Sequence, residues 1–104
     1  MSTVWLDVGT LADFSDDRFA YRNDSLHIGI FRVDGEIFAV DNLCTHGNAL
    51  LTDGEFEDCF IECPLHAGLV DLRTGKAAGT PIIRDTRRYE VRLEDDRILL
   101  ALPE

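Results

Sequence analysis

The chain has 104 residues, which is enough for one small domain and too few for a second. Twenty acidic and ten basic side chains give a formal net charge of −10, which argues against binding to a phosphate polyanion such as nucleic acid. The longest apolar run, residues 98–102, is far shorter than a membrane span, and no basic segment followed by an apolar stretch opens the chain. We therefore expect a cytoplasmic protein with a single domain, residues 1–104.

Short apolar runs separated by turn-forming residues recur along the chain, and their length favours strands over helices. The exception is residues 10–14, where Thr10 can cap one short helical turn. Residues 26–33 are apolar on both alternating faces, as expected for a central strand. Asp34-Gly35 then leads into the apolar residues 37–40, and an Asp-Gly pair between two such runs predicts a β-hairpin.

The C-terminal part of the chain predicts a second hairpin with one buried face, because apolar residues alternate with charged ones before an acidic turn and recur at every second position after it. These apolar residues are Tyr89, Val91, Leu93, Ile98, Leu100 and Leu102. The sequence as a whole therefore predicts an all-β fold.

The middle of the chain contains two pairs of residues that commonly bind metals. The first pair lies in Cys44-Thr45-His46 and the second in Cys63-Pro64-Leu65-His66. Each pair follows an apolar, strand-like run, so each is expected on a loop just after a strand. A hairpin that includes the Asp53-Gly54 turn can bring the two loops together, and four ligands would then meet at one point.

Two kinds of metal centre suit these ligands. Two thiolates and two imidazoles can hold a tetrahedral zinc ion, which would make the chain a zinc-stabilised binding module. Zinc sites usually group their cysteines and histidines separately, however, whereas each loop here supplies one of each. This mixed arrangement favours a Rieske-type [2Fe-2S] cluster, in which one iron binds two cysteines and the other binds two histidines.

Residues 44–47 and 62–66 resemble those of Rieske ferredoxins, in particular the ferredoxin components of bacterial aromatic-ring-hydroxylating dioxygenase systems. The resemblance covers nearly the whole chain and includes Trp5, residues 35–39, the turn at residues 74–76, and Pro81 in a third loop. It implies stacked antiparallel β-sheets with a cluster-binding part at about residues 42–81. It also implies one Rieske [2Fe-2S] cluster, with the ligands Cys44, His46, Cys63 and His66 held by two loops at one tip.

The resemblance implies a function as well. The chain would pass single electrons from an NAD(P)H-dependent flavin reductase to a terminal Rieske oxygenase in aromatic compound catabolism. It would meet both partners transiently and act as a soluble monomer. It has no phosphate-binding glycine loop and no 2-His-1-carboxylate set, so we expect an electron-transfer component rather than an enzyme. A Rieske-like small subunit of an assimilatory enzyme, such as nitrite reductase, is the alternative within the same fold.

The residues around the motif imply a low reduction potential. High-potential relatives have a disulfide between the loops and hydroxyl groups that donate to the cluster. Here Ala49 and Leu65 stand in the disulfide positions, and we assign Leu69 and Asp71 to the positions of the hydroxyl donors. Because hydrogen bonds to sulfur stabilise the reduced state and acidic charge destabilises it, we expect a potential of roughly −150 mV.

Three conspicuous side chains are not expected to bind the cluster. Cys59 follows a turn on the far side of the predicted hairpin, and His27 lies in an apolar run without a cysteine nearby. Trp5 is expected to serve in packing. The acidic residues of the middle segment either guide partners or only keep the protein soluble, and their spacing leaves both readings open.

Overall fold

The structure is a computed structural model that describes residues 3–43, 49–64, 68–77 and 86–102. Two single 3₁₀ turns, Leu11–Asp13 and Leu51–Asp53, lie among ten strands in these ranges. The strands are β1 (Val4–Thr10), β2 (Arg18–Arg22), β3 (His27–Val33), β4 (Glu36–Asp41), β5 (Glu55–Glu57), β6 (Phe60–Glu62), β7 (Leu69–Asp71), β8 (Arg88–Tyr89), β9 (Val91–Glu94) and β10 (Arg97–Leu102). In the same ranges, no helix has the length and apolar character needed to cross a membrane.

The strands form three antiparallel sheets, which confirms the predicted all-β fold. The terminal sheet has the order β1-β10-β9, the central sheet β2-β3-β4-β8, and the small sheet β5-β6-β7. The central sheet contributes to two apolar clusters, one shared with each of the other sheets. The molecule is therefore layered, with the small sheet and the terminal sheet packed against opposite faces of the central sheet.

The hairpin predicted at Asp34-Gly35 is present between β3 and β4. Val33 pairs with Glu36, and the two turn residues between them have φ angles of 51° and 82°. Positive φ at both central positions is the geometry of a two-residue type I′ turn, which matches the right-handed twist of the strands that it joins.

Burial on both sides of the central sheet explains why β3 is apolar on both faces. Ile28 and Ile30 are fully buried in the cluster shared with the terminal sheet. Phe31, at the alternate position, is fully buried in the cluster shared with the small sheet. Since successive side chains of a strand point to opposite faces, a strand between two layers needs apolar residues on both faces wherever it is covered.

The C-terminal hairpin is also present, as β9 and β10, but its burial differs from the prediction at one residue. Ile98 and Leu100 of β10 are fully buried, whereas Leu93 of β9 is 48% exposed. The reason is that β9 is an edge strand of the terminal sheet. Tyr89, which the alternation placed in the same hairpin, belongs instead to β8 and pairs with Ala39 of the central sheet.

The predicted helical turn near residue 10 is the first 3₁₀ turn. Its Asp13 carboxylate accepts a hydrogen bond of 2.9 Å from the backbone N–H of Thr10. A short acidic side chain at this place satisfies a donor that the turn itself leaves free.

Candidate functional site

Three loops of the chain are each closed at the base, among the described residues, by a backbone hydrogen bond. In the first loop (residues 43–50), Leu43 and Leu50 form an antiparallel bridge, followed by a 2.7 Å bond from the N–H of Leu51 to the carbonyl of Asn42. The second loop (residues 63–68) is closed by a 2.7 Å bond from Cys63 to Gly68. The third loop (residues 75–86) is closed by a 2.6 Å bond from Thr86 to Gly75.

The structure describes one of the four predicted ligands. Cys63 is 1% exposed and belongs to the apolar cluster that also contains Ala49 of the first loop. The bases of the first two loops therefore share one core. Cys44, His46 and His66 lie outside the described residues, as do Gly47 and Pro81.

The surroundings of Cys63 fit an iron–sulfur ligand. Leu51 and Ile61, which lie in the same cluster, are fully buried, so the thiol is in an apolar, water-poor environment. Such an environment is one of the factors that set the reduction potential of a cluster. Within the described ranges no group of three metal-binding side chains occurs, since three of the four predicted ligands fall outside them.

Gly54 brings the chain after the first loop against the strand that leads to Cys63. A β-carbon at Gly54 would lie 1.8 Å from the backbone oxygen of Glu62, so only glycine fits there. Arg18 of β2 fixes the same region, because its Nη1 donates to the carbonyls of Thr52, at 3.1 Å, and Gly54. Its guanidinium group also lies 4.5 Å from the ring centroid of Phe56.

A second connection joins the third loop to the strand that leads into the first loop. The hydroxyl of Tyr89 in β8 donates a 2.6 Å hydrogen bond to Oδ1 of Asp41, and the N–H of Asp41 donates to the carbonyl of Arg87 at 2.9 Å. Burial and this hydrogen bond raise the pKa of Tyr89 to about 12, from an ordinary value of 10.0. Tyr89 therefore stays a neutral donor to a carboxylate at ordinary pH.

Neither Arg18 nor Tyr89 was identified from the sequence. Their partners are 34 to 48 positions away along the chain, and no local pattern marks such contacts. Asn42 was not identified either, and its side chain contacts His27, 15 positions away, at 3.1 Å and Thr52, 10 positions away, at 2.9 Å. Nε2 of His27, which is not expected to bind the cluster, has this amide as its partner.

Cys59 and Cys63 lie at opposite ends of β6. The carbonyl of Cys59 accepts a 2.9 Å hydrogen bond from Leu72, and burial raises the pKa of the Cys59 thiol. Three residues of extended strand span about 10 Å, so Cys59 is well removed from the second loop. This arrangement supports the interpretation that Cys59 is not a ligand.

The assignment of Asp71 to a position beside the cluster needs correction. Asp71 pairs with Phe60, at the end of β7 that is remote from Gly68. Its carboxylate binds Arg73 at 3.1 Å, and this hydrogen bond holds the pKa of Asp71 below its usual range. The charge of Asp71 is thus partly balanced and lies about 10 Å along the strand from the loop, so it gives no argument for a low potential.

Two acidic residues do lie at the base of the second loop. Glu62 directly precedes Cys63, and Glu55 is its partner in the β5–β6 ladder. Like charges at directly opposed positions of a sheet destabilise it, so this pair carries a small energetic cost. Glu57, at the other end of β5, pairs with Phe60 instead.

Comparisons with known proteins agree with the geometry. The family model for the Rieske [2Fe-2S] domain matches residues 4–90. The ferredoxin component of the naphthalene 1,2-dioxygenase/salicylate 5-hydroxylase systems of Ralstonia sp is 42% identical over 103 residues, which cover 98% of this chain and 99% of that protein.

Two solved structures extend this similarity to three dimensions. The Sphingomonas yanoikuyae B1 ferredoxin superimposes with a TM-score of 0.87 at 38% identity, covering 94% of this chain and 98% of that one. A chain from the complex of reduced oxygenase and oxidized ferredoxin in carbazole 1,9a-dioxygenase superimposes with a TM-score of 0.85 at 27% identity, covering 96% and 94%.

Proposed function

Because this chain belongs to the Rieske [2Fe-2S] domain family, we propose that it is the ferredoxin component of an aromatic-ring dioxygenase system and carries electrons to the terminal oxygenase. The observation that carries this proposal is the 42% identity to a ferredoxin component over nearly the full length of both chains. The similarity to a chain from an oxygenase–ferredoxin complex supports the oxygenase as the electron acceptor.

The proposed ligands are Cys44, His46, Cys63 and His66, within a cluster-binding part at about residues 42–81 of the single domain 1–104. When bound, a Rieske cluster supplies one reversible one-electron redox step. The chain itself excludes water from Cys63, which is 1% exposed. It also fixes the base of each loop by a backbone hydrogen bond.

An NAD(P)H-dependent flavin reductase is the proposed electron donor, and the cytoplasm is the proposed compartment. Glu55 and Glu62 place negative charge next to Cys63, where a partner would approach the loops. Negative charge at this place favours basic partner surfaces, raises the association rate and makes the complex sensitive to salt. Such short-lived complexes suit a monomeric carrier that must exchange one partner for another.

The two alternatives have less support. A small subunit of nitrite reductase would share the fold, but the relative with 42% identity over 98% of this chain is named a ferredoxin component. A zinc-stabilised module would keep the four ligands without redox activity. It is distinguished by its lack of colour and iron.

The first test is a visible absorption spectrum of the anaerobically purified protein before and after dithionite, with iron and acid-labile sulfide measured on the same sample. We expect a red-brown protein that bleaches and contains about two irons and two sulfides per chain. A colourless protein that contains zinc would refute the proposal.

A pair of cysteine variants tests the ligand assignment. Cys63→Ser should lose the cluster or strongly change its spectrum, because serine is a poor ligand for this iron. Cys59→Ser is the matched control at the other end of the same strand and should keep wild-type iron and sulfide. Loss of iron from Cys59→Ser alone would show that the ligands have been assigned wrongly.

Charge variants test the docking role of the acidic pair. We would measure electron transfer with the reductase and oxygenase of the Ralstonia naphthalene 1,2-dioxygenase system as a function of salt. The double variant with Glu55→Gln and Glu62→Gln should transfer electrons about two- to tenfold more slowly at low salt and approach wild type at high salt. Glu57→Gln, on the same strand but farther from Cys63, is the control. Equal rates in the double variant and wild type at low salt would assign the acidic pair to solubility only.

A further inference from the structure

Asn42 is a fully buried polar residue two positions before the proposed ligand Cys44. Its backbone joins two parts of the fold: the N–H donates to the carbonyl of His27 at 2.8 Å, and the carbonyl accepts from Leu51 at 2.7 Å. Asn42 thus lies where the chain leaves the central sheet for the first loop. It is also hydrogen-bonded to Leu51, which directly follows that loop.

The hydrogen bonds of the Asn42 side chain determine which way its amide group points. Its Oδ1 lies 2.8 Å from the backbone nitrogen of Thr52, which can only donate, so this atom must be the amide oxygen. The amide nitrogen then donates to Oγ1 of Thr52 at 2.9 Å and faces Nε2 of His27 at 3.1 Å. Nε2 of His27 is therefore the acceptor, and the ring proton is assigned to Nδ1.

The packing around Asn42 leaves little freedom for this side chain. A β-carbon at Gly29 would lie 3.0 Å from Oδ1 of Asn42, so the glycine provides the space that the amide occupies. The amide has one acceptor bond and two donor contacts inside the core, which uses its full set of donors. Buried networks of this kind favour one arrangement of the backbone, because every alternative leaves a polar group unpaired.

We propose that Asn42 is a positioning residue for the cluster. Its hydrogen bonds join the two described ends of the first loop to His27 of β3 and Thr52 of the second 3₁₀ turn, and by fixing these ends Asn42 would control the geometry of the ligands that the loop supplies. This inference rests on the proposed function and deepens it, since it assigns the control of ligand geometry to side chains that do not touch the cluster.

The test uses variants that remove one partner at a time. Asn42→Ala removes the whole network, whereas Thr52→Val and His27→Leu each remove one acceptor and keep side chains of similar size. His27→Gln is the conservative variant, since its amide oxygen can accept in place of Nε2. Asn23→Ala is the matched control, because Oδ1 of Asn23 also accepts from backbone N–H groups, at 2.8 Å, but in the turn before β3.

Three quantities are measured: the EPR g-values of the reduced protein, the midpoint potential of the cluster, and the rate at which a chelator removes iron at a temperature well below unfolding. We expect altered g-values, a shifted potential, and iron loss about tenfold faster in Asn42→Ala, which corresponds to the loss of one or two net hydrogen bonds. Thr52→Val and His27→Leu should change in the same direction by less. His27→Gln and Asn23→Ala should match wild type.

A purely structural role for Asn42 predicts a different result. In that case the variants would unfold at lower temperature but keep wild-type g-values, potential and iron-loss rate, and the proposal would be overturned. If Asn42→Ala does not fold, Thr52→Val and His27→Leu decide between the two outcomes by the same readouts. Failure of the proposed function is distinguishable, because the wild-type protein would then contain no iron or sulfide.

A readout that is independent of the cluster is amide hydrogen exchange at Leu51 and Thr52, whose N–H groups bond to Asn42. Faster exchange at both amides in Asn42→Ala, with unchanged exchange in β10, would support local loosening of the loop base. Equal exchange at Leu51 and Thr52 in the variant and wild type would count against the proposal.

Discussion

Replacing Tyr89 by phenylalanine should remove a specific loss of stability that the wild-type protein undergoes at high pH. Burial of the ring, and then its hydrogen bond to Asp41, raise the pKa of Tyr89 from 10.0 to about 12 in the folded protein. In the unfolded chain the phenol loses its proton at its ordinary pKa. Between these two values the unfolded state binds fewer protons than the folded state, so the free energy of unfolding falls as the pH rises.

The size of this effect follows from the pKa shift. The rise of the Tyr89 pKa from 10.0 to about 12 corresponds to roughly 2–3 kcal/mol in the free energy of unfolding. This contribution to stability is fully present below pH 10 and is lost as the pH approaches 12. At pH 8, Tyr89→Phe should be less stable than wild type by about 1–2 kcal/mol, because the bond to the Asp41 carboxylate is lost. This difference should shrink above pH 10 and vanish or reverse near pH 11.5.

Urea unfolding of both proteins, followed by circular dichroism at a series of pH values, measures this difference. Comparison of the two proteins cancels the titration of groups that they share, and any effect of alkaline pH on the cluster. A stability difference that stays constant from pH 8 to pH 11.5 would refute the reasoning, since it would mean that Tyr89 ionises equally in the folded and unfolded states.

Three further predictions concern stability and reactivity. Gly54→Ala should destabilise the protein by about 3 kcal/mol or more in urea unfolding, because the new β-carbon would overlap a backbone oxygen of β6. Gly35→Ala is the comparison: its β-carbon meets open space, so it should cost only about 1 kcal/mol, for the positive φ of this residue. Thr52→Val should lower the free energy of unfolding by about 1 kcal/mol, because it removes the hydrogen bond from Asn42. Thr86→Val should change it by less than about 0.5 kcal/mol, because the buried hydroxyl of Thr86 has no hydrogen-bond partner among the described residues. A larger loss in Thr86→Val than in Thr52→Val would contradict this ranking. Iodoacetamide should modify Cys59 more slowly than a cysteine in an unstructured peptide at pH 8, since burial raises the pKa of its thiol, and equal rates would count against that shift.

Much of the fold could be predicted because its signals are local. The Asp34-Gly35 pair specifies a turn by its own φ preferences, and the double-faced apolar pattern of β3 indicates a strand covered on both sides. The prediction was wrong at Leu93 because alternation shows which residues share a face, not whether another layer covers that face. Leu93 lies on an edge strand, where the cover ends.

The spacing of cysteines and histidines identified the kind of centre, but not the side chains that hold its loops in place. Arg18 bonds to carbonyls that are 34 and 36 positions away, and Tyr89 to a carboxylate 48 positions away. Each of these residues, read locally, looks like an ordinary polar or aromatic residue of a strand. Only the stacking of the sheets brings them to the loop bases, so a single sequence contains no pattern that reveals their role.

The small sheet explains why these supports are needed. Its three strands have three residues each, and so few short strands form a marginal sheet on their own. Its buried residues Ile61 and Val70 belong to the same apolar cluster as Phe31 of the central sheet. The strands that lead into and out of the second loop therefore depend on packing against β3. The contacts of Arg18, Tyr89 and Asn42 all run from the central sheet or its neighbouring turns to a loop base. They tie the described ends of the three loops to the central sheet, so that the chain on either side of the proposed ligands is held by a sheet with buried residues on both faces.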